Sequence, residues 1–425
     1  MTDRRLGFAA TWAMAVGGMV GGGIFSVLGV VISIAGPRAW LSFVMSGAIA
    51  FCTGLSYVGL ARRYGEGGGA FTFLREMDRE YLAGGVSWLL LVGYMLTMSV
   101  YAATFGHYVG DVAGMPAWAG RSLGAAVLIT LMAVNLRGVG DASGLEIVTV
   151  WGKLAVLLVL AAIGLARWDT SQLTPTGYSG GPGATLLAAA SVFVAYEGFQ
   201  LLTYDYDDIR DPERVLRKAI ITSILAVVAI YVAVALGSAM LTGADALIEK
   251  QEIALAEAGK AALGTPGLFA VSVAAAFSTA SAINATLFAT GRLAERVARD
   301  GELPEWIESR NSRGIPVRAI VLLTACTVLL LAVGSLRELV ESASIVFLGT
   351  FACVNIIAAV ELQGARRLPA VAGALGASVA GIALLLQWIE SQETIPLAAL
   401  AALLLLGFGV RPLLLRASRR SRTET

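Results

Sequence analysis

Gly17-Gly18-Met19-Val20-Gly21-Gly22-Gly23-Ile24-Phe25 sits in the middle of the first long apolar segment, residues 8–32. Five glycines within seven residues are costly in a helix interior, by about 1 kcal/mol each relative to alanine. At membrane depth the cost compounds, because freed peptide groups find no water there. Helices are interrupted inside bilayers where the irregular stretch lines a protected polar cavity. Gly21, Gly22 and Gly23 therefore read as a helix break and a candidate ligand cradle. Tight helix packing is the competing reading, since Gly17/Gly21 and Gly18/Gly22 each satisfy G-x-x-x-G. One such pair would suffice for packing.

The surrounding composition puts this stretch in lipid. Of 425 residues, 57% are hydrophobic and 14% charged, against about a quarter charged in soluble domains. A net charge of +1 gives no footing for a nucleic-acid partner. Cys52, Cys326 and Cys353 fall in apolar segments, which suits buried thiols and not a disulfide framework or metal site. His107, the single histidine, cannot build a metal centre alone and reads as a surface residue. No cofactor motif is present: the Gly67–Gly69 run precedes no phosphate-loop Lys-Ser/Thr pair. Intramembrane enzymology lacks its signatures too, with no H-E-x-x-H and no Ser–His pair.

A span needs about 20 mostly apolar residues. Twelve segments qualify: 8–32, 38–61, 84–108, 119–136, 144–166, 184–205, 216–241, 265–291, 316–334, 339–361, 369–388 and 395–415. Segment 1 lacks a small-residue cleavage site and reads as a retained helix. Between the segments, 24 Lys and Arg fall on one side and 6 on the other, with Lys153 inside segment 5. The basic side is expected to be cytoplasmic, which puts both termini there in a multi-pass protein of the cytoplasmic membrane. The stretch Thr242–Gly264 on the other side alternates apolar and charged residues, as a short amphipathic surface helix would.

Segment 6 carries its own interruption, Ala195-Tyr196-Glu197-Gly198, at a depth similar to that of the glycine run. Two interrupted segments of opposite direction, five apart, are the pattern of an inverted repeat with the binding site between the breaks. The resulting fold is an all-α polytopic membrane protein. Residues 1–7 form a cytoplasmic N-terminus, 8–166 the first five-helix repeat and 184–361 the second, inverted one. Residues 369–415 form two peripheral helices, and 416–425 a basic tail against anionic head groups.

Four blocks resemble the amino acid permeases of the amino acid–polyamine–organocation transporter superfamily. They are Gly21-Gly22-Gly23-Ile24-Phe25, the stretch from Ala61-Arg62-Arg63-Tyr64-Gly65 to Leu74-Arg75-Glu76, Ala195-Tyr196-Glu197-Gly198-Phe199, and Ser278-Thr279-Ala280-Ser281 with Ala298-Arg299-Asp300-Gly301-Glu302-Leu303-Pro304. The resemblance implies a LeuT-like 5+5 inverted repeat with about 12 transmembrane helices, helices 1 and 6 broken at mid-membrane. It also implies a small-molecule substrate, an amino acid, with protons as the coupling ion.

The substrate set expected from these breaks is Met19, Gly21, Gly22, Gly23 and Ile24 with Phe193, Val194, Ala195, Tyr196 and Glu197. Amides of Gly22, Gly23 and Ile24, at a positive dipole end, suit a carboxylate. Carbonyls freed from about Phe193 to Tyr196 suit an ammonium. Val194 stands where many relatives carry an aromatic gate, with Phe193 and Tyr196 as the aromatic alternatives. Glu197 is open to three readings: proton-linked gate, ligand for a cationic substrate, or acceptor for freed amides.

Lys153 is about 10–15 Å from the nearer end of its helix at 1.5 Å per residue, beyond easy snorkelling. A charged lysine there costs about 2.5–3.5 kcal/mol on insertion scales, and burial disfavours the charged form of an amine. Proton-coupled relatives carry a lysine in helix 5, which implies partners among the Gly17–Val20 carbonyls and the hydroxyls of Ser278, Thr279 and Ser281. Proton symport is the expected activity. Obligatory exchange with Lys153 as a fixed charge, transport of a polyamine or other organic cation, and a non-transporting membrane sensor are the alternatives.

Overall fold

A computed structural model describes residues 5–65, 69–77, 79–137, 143–181 and 183–411. The basic tail 416–425, the first four residues and the centre of the Gly67–Gly69 run lie outside the described residues. The chain is nearly all helix, and two isolated bridges are the sole β pairings among the described residues.

The α-helices in chain order are α1 (Phe8–Met19), α2 (Gly23–Ala35), α3 (Ala39–Tyr64), α4 (Gly69–Glu76), α5 (Glu80–Val112) and α6 (Ala117–Leu136). They continue as α7 (Ser143–Leu165), α8 (Gly183–Ser191), α9 (Pro212–Thr242), α10 (Ala244–Glu249), α11 (Ala254–Leu263) and α12 (Thr265–Arg299). The last are α13 (Val317–Val333), α14 (Leu336–Glu361), α15 (Arg367–Glu390) and α16 (Thr394–Leu404). Seven helical runs are long and apolar enough to cross a membrane, and four further apolar helices are shorter.

The pattern of exposure fits lipid as the solvent. Phe277, Leu329, Val333, Val360, Leu375, Ile382 and Leu386 are exposed on α12 to α15, a band of large apolar side chains that water would not tolerate. In water an unpacked face carries charge; here it carries Leu, Ile and Phe. The interior is built around α5, which packs against α12, α14, α6 and α13. Around it, α3 and α7 both lie on α9, and α8 touches α2, α3, α14 and α15. The start of α14 shows how a helix end is fixed locally. The Ser335 hydroxyl accepts from the Glu338 amide (3.3 Å), and the Glu338 carboxylate accepts from the Ser335 amide (2.8 Å), a reciprocal capping box.

Two expectations are corrected. Thr242–Gly264 is not one surface helix but α10 and α11 joined by a 3-10 turn, Gln251–Ile253. Its apolar residues Leu247, Leu255 and Ala258 are buried against the body. Gly29 of α2 permits the approach, since a Cβ there would lie 2.6 Å from the Gln251 Cα. Segment 6 does not resume as an α-helix after its interruption. Beyond Ser191 the chain runs through three 3-10 turns, Phe193–Tyr196, Phe199–Thr203 and Tyr206–Asp208. Side chains there compete with the helical ladder: Thr203 donates its hydroxyl to the Gln200 carbonyl (2.7 Å), and Gln200 accepts from the Gly198 amide (2.9 Å).

Candidate functional site

α1 ends at Met19 and α2 begins at Gly23, with a turn between them. The glycines of this turn face three different neighbours. A Cβ on Gly21 would lie 2.4 Å from the Ala282 Cβ, on Gly22 2.1 Å from Tyr101 Cδ1, and on Gly23 2.5 Å from the Tyr231 hydroxyl. Close packing thus uses all three glycines, not one pair. Gly198 meets the same region from the other side: at φ +127°, a Cβ would lie 2.7 Å from the Gly18 carbonyl carbon. The 3-10 stretch after α8 is thereby seated on the end of α1.

The peptide groups of this junction divide sharply. Five successive carbonyls at the end of α1 each have a donor. Val16 takes the Val20 amide (2.8 Å), Gly17 the Lys153 ammonium (3.1 Å) and Gly18 the Gly21 amide (3.2 Å). Met19 takes the Tyr231 hydroxyl (2.6 Å) and Val20 the Ser278 hydroxyl (2.8 Å). The start of α2 is different. No side chain caps it at Gly22, so first-turn amides lack intrahelical partners. The Ile24 amide lies near the Tyr231 hydroxyl, and the Gly22, Gly23 and Phe25 amides have no hydrogen-bond partner among the described residues.

Carbonyls of the second break are largely taken as well. Ser191 accepts from the Ser344 hydroxyl (2.7 Å), Val192 from the Ala195 amide (3.0 Å) and Val194 from the Glu197 amide (3.0 Å). Ala195 accepts from Tyr231 (2.9 Å), whose single proton serves it and Met19 in turn. Ser344 also accepts from the Val194 amide (3.0 Å). Tyr196 donates to the Phe43 carbonyl (2.8 Å) and Phe193 packs edge-on to Phe351 at 5.6 Å, so both aromatic alternatives to a gate at Val194 are engaged in packing.

Lys153 is 4% exposed and Glu197 1%. Glu197 accepts from the Gln200 side-chain amide at 2.8 Å. Of the hydroxyls expected near Lys153, Ser278 bonds Val20, Thr279 bonds its own helix at Ala275 (2.7 Å), and Ser281 is half-buried on α12. Every residue from Met19 to Ile32 and from Ser191 to Gln200 is buried. Two surface cavities of about 490 and 420 Å³ lie instead at the basic end of the helices. Both are lined by Arg62 and Glu213, which are paired at 2.9 Å. The described geometry is an enclosed one.

At the opposite end His107 of α5 bonds Glu252 of the 3-10 turn (2.8 Å). That contact holds the Glu252 carboxyl below its usual range, first through the hydrogen bond from His107, with Arg121 adding.

A family model for amino acid permeases matches residues 6–409. The chain belongs to the amino acid permease family. An uncharacterized protein of Methanocaldococcus jannaschii is 31% identical over 315 residues, 73% of this chain and 72% of the relative. The inner membrane transport protein YbaT of Escherichia coli is 29% identical over 84% of this chain and 83% of its own. The mouse Asc-type amino acid transporter 1 is 25% identical over 81% of this chain and 67% of its own. The family, YbaT and the mouse relative are transporters, not enzymes, and this permease is an integral membrane protein.

Within the permease, Tyr231, Gln200 and Ser344 take part in the junction without having been read from the sequence. A tyrosine on an otherwise apolar helix was the available signal: its hydroxyl, unlike a phenylalanine ring, demands a partner when buried.

Proposed function

We propose that this permease is a secondary transporter of amino acids, working by alternating access and coupled to protons. The single observation that carries the reading is the division of peptide groups at the α1–α2 junction. The Val16–Val20 carbonyls there have donors, while the buried Gly22, Gly23 and Phe25 amides at the positive end of α2 have no partner among the described residues. Such an end favours a carboxylate by about 0.3–1 kcal/mol, and up to about 2 when partly buried. Lys153, held on the Gly17 carbonyl beside the same junction, supports proton coupling. A proton gained or lost there changes the grip on the end of α1. The 24-to-6 asymmetry of basic residues supports cytoplasmic termini. The opposed breaks in segments 1 and 6 support an inverted five-helix repeat with about twelve spans.

Obligatory exchange is the second reading, favoured by the same contact if Lys153 serves as a fixed pin. Proteoliposome uptake of twenty amino acids, with and without an inward proton gradient, separates the two. Symport is expected to give saturable uptake of at least one amino acid that the gradient stimulates, and Lys153→Ala to abolish the stimulation. Uptake that ignores the gradient and requires internal counter-substrate would establish exchange. Uptake of no amino acid would overturn the reading.

A further inference from the structure

Recognition of the substrate nitrogen is the part of the site that the break carbonyls leave open. At the end of α1 every carbonyl from Val16 to Val20 already has a donor, and in the second break so do Ser191, Val192, Val194 and Ala195. An ammonium entering here would share these carbonyls with Lys153, Tyr231, Ser278 or Ser344, or take the Tyr196 carbonyl, and none of these oxygens carries a countercharge. Glu197 offers one. Among the described residues its hydrogen-bond partner is the neutral Gln200 amide, on one carboxyl oxygen. The residue after it, Gly198, lies against Gly18 and Met19, which brings Glu197 to the tip of α1.

A second observation points to a missing ligand. Tyr101 of α5 is buried, and its hydroxyl has no hydrogen-bond partner among the described residues. Its ring lies on Gly22, and it is within electrostatic range of Glu197 and Tyr231. An unsatisfied buried hydroxyl costs about 1–3 kcal/mol, and a buried charge costs more unless it is paired. A ligand with both charges beside one another would answer these needs together.

Resting on the amino-acid reading above, we infer that the Glu197 carboxylate takes the substrate's ammonium in place of the helix-break carbonyls. The site then selects ligands carrying a charged nitrogen next to a carboxylate, held between Glu197 and the Gly22 and Gly23 amides. Gln200 is a positioning residue that fixes the carboxylate while leaving one oxygen for the ligand.

The test uses the full chain in proteoliposomes and the amino acid that the wild type takes up best. Its α-hydroxy-acid analogue, which lacks the ammonium, serves as the competing ligand. A wild type that takes up no amino acid fails the functional reading before this inference is reached. Glu197→Gln is expected to raise KM for the amino acid at least tenfold. The inhibition constant of the hydroxy acid is expected to change less than twofold. Equal weakening of both ligands, unchanged KM, or loss of pH response with KM intact would each overturn the inference. Should the variant not fold, protection of wild-type Glu197 from a hydrophobic carbodiimide decides. The amino acid is expected to protect and the hydroxy acid not to; equal protection by both would overturn the inference.

Discussion

A single methyl group on the Gly22 Cα has no room within the junction. The Tyr101 ring occupies the position that a Cβ would take, at 2.1 Å, so either α5 or the turn must move. Gly22→Ala is expected to lower the initial rate of amino acid uptake more than tenfold in proteoliposomes. Gly152→Ala, whose Cβ would meet nothing within 4 Å on α7, is expected to leave the rate within twofold. Equal effects of the two would remove the case for a sterically closed junction. Lys153 was readable in sequence because a lone cation in a long apolar run must find an acceptor, and the resemblance to proton-coupled permeases implied the Gly17–Val20 carbonyls as that acceptor. Tyr231 was not. On α9 it sits among Ile, Val, Ala and Leu, where an aromatic ring is ordinary filling. Its hydroxyl partners Ala195 and Met19 lie 36 and 212 positions away, which no local pattern encodes.

Among elements, the 3-10 turn Gln251–Ile253 is the one most directly tied to pH. It sits on α2 at Gly29 and is held to α5 by the His107–Glu252 contact. The folded Glu252 carboxyl is depressed, so its contribution is fully present above the unfolded carboxylate value and disappears as pH falls through the lower, folded one. Half-exposed pairs are worth about 0.2–1 kcal/mol. Glu252→Gln is accordingly expected to speed hydrogen exchange of the Gln251–Leu255 amides about 1.5- to 5-fold at pH 7. The difference should vanish as pH falls through the depressed, folded value of the Glu252 carboxyl, after correction for intrinsic rates. No difference at pH 7 would mean the contact does not hold the turn. The element scale is also where sequence reading fell short. The helical segments were legible because apolar runs of about 20 residues have one economical conformation in lipid. The 3-10 course after Ser191 was not, because it depends on Gln200 and Thr203 bonding backbone a few residues away, in a stretch whose hydropathy still reads as helix.

For the whole molecule, charge and burial distinguish the two ends of the helix bundle. The basic end holds the two open cavities and several exposed ion pairs, among them Arg62–Glu213 and Arg63–Glu361. At the opposite end α10, α11 and their turn bury Leu247, Leu255 and Ala258 against the body. Between them the junction of α1, α2 and the 3-10 stretch is buried, with the Val16–Val20 carbonyls taken and no side chain capping α2. Under the proposed function, it is the substrate carboxylate that completes the start of α2.

The most direct measurement is an experimental structure of the full chain with its best-transported amino acid bound. A carboxylate oxygen is expected at hydrogen-bond distance, about 2.7–3.2 Å, from the Gly22 or Gly23 nitrogen, with α1 still ending before Gly23. A ligand seated elsewhere, or one continuous α-helix through Met19 to Gly23, would contradict the account.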